Sequence, residues 1–379
     1  MKYKVSFILL ILISINTVVY SMNKDPTFDF SSIERISENL KQNYEYFPDI
    51  SLKSLIENYK SNGSLKITFK EMIINIAKFS IKEIILNYKL LLEILAIGII
   101  SAIIHTLQNA FEDNNIAKLS SYAIFLIVTI IIIRTFTYAI AVANRAIDDM
   151  VNFMNALIPA LITMLIGTGS IATATTLDPI LMFFIKFSSD VIKNIILPIT
   201  IIAVVVFLID NLSDDIKISK LGEFINTINQ WLLGFIMTIF IGIITVRGIT
   251  ANTFDEVAIK STKFAVDKFI PIVGGALSDA VTTVASYSLI LKDAVSIFGL
   301  FIIIGICIFP LIKIIVLSLI YRFACVILEP IVDDKIVKPL SVSGKTMLII
   351  FASVLSVAVM FFIMITILAS AGKVIVNVG

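Results

Sequence analysis

Two long apolar runs, 177–211 and 294–328, constrain this chain most; each is 35 residues long and each contains a proline. A straight helical crossing of a bilayer needs about 20 apolar residues. Each run is therefore too long for one straight crossing. Further apolar runs lie near 119–143, 153–172, 228–249, 264–291 and 346–371, separated by short polar links. Hydrophobic residues make up 58% of the 379 residues, and mean hydropathy is +1.00. A soluble domain of this length has too little interior to hide that much apolar side chain. The expected fold is all-α: a polytopic integral membrane protein with about seven to nine helical spans, several of them broken.

The N-terminal part is different. Lys2 and Lys4 precede an apolar core from Val5 to Ile15, which reads as a secretory signal over 1–21. Val18-Val19-Tyr20-Ser21 offers a cleavage point after Ser21; retention as an uncleaved anchor is the alternative. Either reading puts residues 22–67 outside the cytoplasm, as a small helical segment suited to packing or docking. From Thr68 to Leu92, polar residues recur at helical spacing beside Met72, Ile73, Ile76, Phe79, Ile84 and Ile85. That pattern is an amphipathic helix, lying in the membrane interface or packed on the exported segment. A first span comes next within 68–118, ending near His105.

An offset of 112 places Pro159 on Pro271 and Pro198 on Pro310. Leu157-Ile158-Pro159 meets Phe269-Ile270-Pro271, and each proline precedes a stretch of small residues: GTGSIATATT from Gly167, with Gly169 inside it, and GGALSDAVTT from Gly274. Arg134 and Arg247 close the preceding apolar runs, and a polar, interfacial helix is expected after each. The chain thus reads as two copies of one unit, 119–230 and 231–342, with a final span and short tail in 343–379. Paired proline- and glycine-interrupted segments in corresponding positions are the usual pointer to a transport site. The copies would be parallel if each crosses an even number of times and inverted if odd.

Pro271, Gly274, Gly275, Ser278 and Asp279 fall in the stretch Phe264–Leu291, whose small residues suit close helix packing or a polar path. Charges within apolar runs usually face protein or water. Arg134 and Arg247 are placed to snorkel. Lys186, Asp190 and Lys193 share one helical face. Lys313 lies three residues after Pro310, which puts an ammonium group one turn from a missing backbone donor.

Other chemistry is excluded. A net charge of +2, with no run of Lys or Arg longer than two, gives no footprint for nucleic acid. One histidine leaves no histidine-rich metal site. Cys307 and Cys325 read as small buried hydrophobes. There is no P-loop, H-E-x-x-H or G-x-S-x-G. Asp190 and Asp279 lack a protease motif around them. Neither enzymatic activity nor a cofactor is expected.

Phe269-Ile270-Pro271, Val273-Gly274-Gly275, Ser278-Asp279, Leu291-Lys292, Phe309-Pro310, Lys313 and Glu329-Pro330 carry a resemblance, in order over about 264–372, to the stage III sporulation protein AE family. Glu329 stands where family members tend to carry glutamine. The resemblance implies a permease-like membrane subunit of the channel apparatus joining mother cell and forespore. Its implied partners are an ATPase, ring-forming exported subunits and a forespore-side protein, with homo-oligomerisation open. Its implied location is the outer forespore membrane. The residues alone leave two alternatives: a stand-alone secondary transporter of a small solute, and a scaffold with no path.

Overall fold

The computed structural model describes residues 31–43, 47, 52, 54, 69–111, 114–168, 178–212, 218–269 and 274–371. The expected signal at 1–21, most of the segment 22–67, Gly169 and Pro271 lie outside the described residues. For Arg247, Gly274, Gly275, Ser278 and Asp279 the described part is the helical backbone alone.

Among the described residues there is no strand. Hydrocarbon cannot satisfy backbone N–H and C=O groups, so a lipid-embedded chain must pair them internally, and a helix does so within one segment. The elements are α1 (Ser31–Asn43), α2 (Phe69–Leu86), α3 (Tyr88–Phe111), α4 (Asn114–Gly167), α5 (Asp178–Val191), a π-helical turn (Ile192–Ile196), α6 (Leu197–Leu212), α7 (Ser219–Phe269), α8 (Gly274–Leu328) and α9 (Asp334–Ser370). Among the described residues, six segments are long and apolar enough to span: Met72–Thr106, Leu119–Gly167, Pro179–Asn211, Ser219–Val246, Ser286–Leu328 and Asp334–Ser370.

The seven to nine spans read from the apolar runs are not confirmed: the described residues hold these six. The runs 119–143 and 153–172 are largely joined in α4, and the end of 264–291 continues into 294–328 within α8. The 54-residue α4 passes through Pro159, and the 55-residue α8 passes through Pro310. At 1.5 Å per residue, α4 is about 80 Å long, against a hydrocarbon thickness of about 30 Å. It cannot lie wholly within one straight crossing.

The centre of the bundle is α8, in which no residue from Leu291 to Ser318 is exposed. It runs antiparallel to α4. A Cβ on Gly167 would meet Ser288 Oγ at 2.6 Å, and one on Gly299 would meet Leu157 at 2.6 Å; the Tyr321 hydroxyl donates to the Ile131 carbonyl at 3.5 Å. It also runs antiparallel to α9, where Ser318 Oγ donates to Gly344 O at 2.7 Å and Lys292 Nζ to Ala369 O at 3.0 Å. The α5–α6 rod is antiparallel to α7, through Phe184 stacked on Phe240 at 6.4 Å and the amide of Asn229 donating to Thr200 Oγ1 at 3.1 Å. The helices therefore alternate: α4, α7 and α9 run one way, α5–α6 and α8 the other.

The amphipathic pattern of α2 divides differently from its sequence reading. Phe79 is buried and lies edge-on to Phe309 with ring centroids 4.7 Å apart, whereas Ile73, Ile84 and Ile85 are exposed. The helix thus packs one apolar edge on α8 and turns another outward. Asn87 joins it to α3: its side-chain amide donates to the Glu83 carbonyl at 2.9 Å and to the Glu83 carboxylate at 3.1 Å.

Candidate functional site

Helix α4 changes character along its length. Over 119–133 its exposed face carries Leu119, Tyr122, Leu126, Ile127, Ile130 and Ile133. From Arg134 the exposed positions are Arg134, Thr137, Tyr138, Ala141, Arg145, Asp149, Asn152, Asn155, Pro159 and Thr163. No large hydrophobic residue is exposed on α4 between Tyr138 and Ile166. The steps of three and four residues put this set on one side of the helix. The other side is packed: Phe136, Ala143, Met150, Phe153, Leu157 and Leu161 are buried. A continuous polar face therefore runs about 45 Å along a helix of an otherwise apolar chain, at 1.5 Å per residue.

Pro159 adds to that face. Its ring nitrogen has no hydrogen, so the Asn155 carbonyl loses its ordinary helical donor. Asn155 and Pro159 are both exposed, which leaves this acceptor open toward the polar side. The Thr163 hydroxyl donates to the Pro159 carbonyl at 2.8 Å, so that acceptor is partly occupied.

Lys193 reaches α4 from the facing rod. Its ammonium lies 2.6 and 2.7 Å from the two oxygens of Asp148. Lys193 sits in the π-helical turn Ile192–Ile196, which shifts the helical register between α5 and α6. The wider turn has a local cause: Pro198 cannot donate to the Asn194 carbonyl and its ring crowds it. The helical face shared by Lys186, Asp190 and Lys193 therefore does not form an ion-pair ladder among the three. Lys186 and Asp190 are exposed and, among the described residues, take part in no ion pair. Because Lys193 and Asp148 are part exposed, the pair contributes about 1 kcal/mol or less. Lys193→Asp should lower the thermal midpoint in detergent, and Asp148→Lys in the same chain should restore most of it. A double exchange no better than the single one would remove the pair from consideration.

Of the other residues singled out in the sequence, Gly167 is brought against Ser288 in close helix packing, Pro310 is buried and Lys313 half-buried. Cys307 is buried and Cys325 half-buried, both as free thiols. Sequence reasoning missed Lys292. It is fully buried, donates to the carbonyls of Ala369 and Ala371, and lies 3.6 Å from Asp293 Oδ1. It also missed the polar face, because the segment after Arg134 reads as a separate interfacial helix when its polar positions are not phased against the buried ones.

The family model described as stage III sporulation protein AE matches residues 50–372, which contain α2 to α9 up to Ser370. A curated relative, stage III sporulation protein AE of Bacillus subtilis (strain 168), is 31% identical over 312 residues, covering 82% of this chain and 78% of the relative. No solved structure matches. With the family model spanning well over half of the chain, this protein belongs to the stage III sporulation protein AE family.

Proposed function

We propose that the chain is a non-enzymatic, permease-like membrane subunit of the secretion-like channel complex between mother cell and forespore, required for endospore formation. In this reading it sits in the outer forespore membrane with its N-terminal segment outside the cytoplasm. It works with an ATPase, ring-forming exported subunits and a forespore-side partner. Family membership supports the sporulation role. The observation that carries the permease-like role is the polar face of α4 from Arg134 to Thr163. A polar strip of that length on a spanning helix is expected to face protein partners or water rather than lipid. The close contact of Gly167 with Ser288 favours packing, not a channel, between the two small-residue stretches. The path is therefore assigned to the exposed side of α4.

The internal repeat belongs to the same proposal. At an offset of 112, α4 corresponds to the later part of α7, the α5–α6 rod to α8, and the start of α7 to the start of α9. Each copy then contributes two oppositely directed rods, which is the even count of parallel repeats.

The test is cysteine accessibility in a chain with Cys307 and Cys325 replaced by alanine. Asn152→Cys and Thr163→Cys should react with a membrane-impermeant thiol reagent at least roughly tenfold faster than Ile130→Cys, since only thiols in water ionise readily. Their modification in sporulating cells should arrest late forespore development. Equal protection of all three positions would overturn the assigned path.

A further inference from the structure

A recess of about 300 Å³ opens where α2 meets α3, against α4 and α8, and it is lined in part by Asn87, Glu93, Arg134, Thr135 and Tyr138. It thus presents a guanidinium and a carboxylate in one small space. Among the described residues neither Arg134 nor Glu93 takes part in an ion pair. The two charges share a cavity without neutralising each other. The Asn87 amide, which would otherwise be free to fill the space, is held by Glu83. Leu90, Ile131 and Leu317 supply the apolar part of the lining.

The position of the recess narrows its ligand. It lies at the step on α4 where exposed aliphatic side chains end at Ile133 and the polar face begins at Arg134. Leu86 and Tyr88, which flank Asn87, are exposed on the adjoining rod. Aliphatic surface suited to lipid thus meets the hydrated face of α4 there, with a tyrosine beside it, and headgroups gather where lipid and water meet. Arginine binds phosphate through a planar fork of donors, and a carboxylate accepts hydrogen bonds from a primary ammonium.

We propose that this recess binds a phosphate–ammonium zwitterion, the phosphate on Arg134 and the primary ammonium on Glu93. The source that fits a boundary with exposed aliphatic side chains is the headgroup of an ethanolamine phospholipid; free phosphoethanolamine has the same chemistry.

The test uses the full chain purified in a neutral detergent, with thermal midpoint and native mass spectrometry as readouts. Dioleoyl phosphatidylethanolamine should bind roughly tenfold more tightly than the matching choline lipid, whose quaternary nitrogen has no hydrogen to donate, as expected for one charged hydrogen bond. Glu93→Gln should erase that preference while retaining phosphate binding. Arg134→Gln should weaken both lipids and the matching glycerol lipid alike. Phosphoethanolamine added at the same concentration should shift the midpoint less than the lipid; a larger shift would assign the site to the soluble molecule. Equal binding of ethanolamine and choline lipids, or a preference that survives Glu93→Gln, would overturn the proposal.

Discussion

Lys292→Met should be severely destabilising, by about 3–5 kcal/mol, the range for removing one member of a buried charge pair. The side chain is fully enclosed, so the substitution keeps most of its volume and removes its donors. Those donors serve the end of α9. The last carbonyls of a helix have no intrahelical partner and carry the negative end of its dipole. Lys292 donates to two carbonyls there, those of Ala369 and Ala371. It also places positive charge 3.6 Å from Asp293, whose side chain is only 10% exposed. Methionine would leave that carboxylate without this counter-charge and the carbonyls without this donor, in a setting with little access to water. Lys292→Met/Asp293→Asn should recover part of the loss, since a neutral amide is less costly to bury than a carboxylate. Thermal midpoints in detergent, with protease sensitivity near the end of α9, read the effect. A midpoint for Lys292→Met equal to that of the native chain would refute this account of the α8–α9 clamp.

The contrast between Lys292 and the apolar runs explains what was legible in the sequence. Hydropathy is a local property, so the membrane class and the approximate span positions come from counting residues along the chain. Contacts distant in sequence leave no such trace. The partners of Lys292 lie 77 and 79 residues away, and Asp148 lies 45 residues before Lys193. Spacing alone therefore grouped Lys193 with Lys186 and Asp190, its neighbours in sequence, and left Lys292 as an unexplained member of a family-specific pair. Proline misled in a different way. Pro159 and Pro310 mark lost hydrogen bonds but not helix ends, because packing along α4 and α8 carries each helix through them. The polar segment after Arg134 was visible in composition. Its meaning was not, since a polar face on a packed helix and a free interfacial helix have the same residue types.

The second large effect concerns the N-terminal segment and a single glycine. Gly305→Ala should detach Phe47 from the bundle. A Cβ at Gly305 would lie 2.0 Å from Phe47 Cε2 and 2.7 Å from Cδ2, so the ring and the methyl group cannot share the site. Neither neighbour yields easily: α8 is enclosed on all sides at this level. The surround of Phe47, formed by residues including Met72, Ile76, Phe301 and Phe309, retains only about 10 Å³ of free volume. Overpacking in such a core costs about 1–3 kcal/mol, and loss of a buried phenylalanine about 3–5 kcal/mol. The consequence should be concentrated before α2, where, among the described residues, Ile33, Leu40, Phe47 and Leu52 are the buried apolar ones. The 13-residue α1 is too short to persist without packing. Limited proteolysis of native membranes should cut between residues 31 and 54 at least tenfold faster in Gly305→Ala, a factor worth about 1.4 kcal/mol. In a Phe47→Ala background the same substitution should add little, because the methyl group then has room; the two effects are non-additive by construction. Full additivity of Gly305→Ala and Phe47→Ala would mean that the glycine is required for some contact other than the Phe47 ring, and the docking role assigned to that ring would fall.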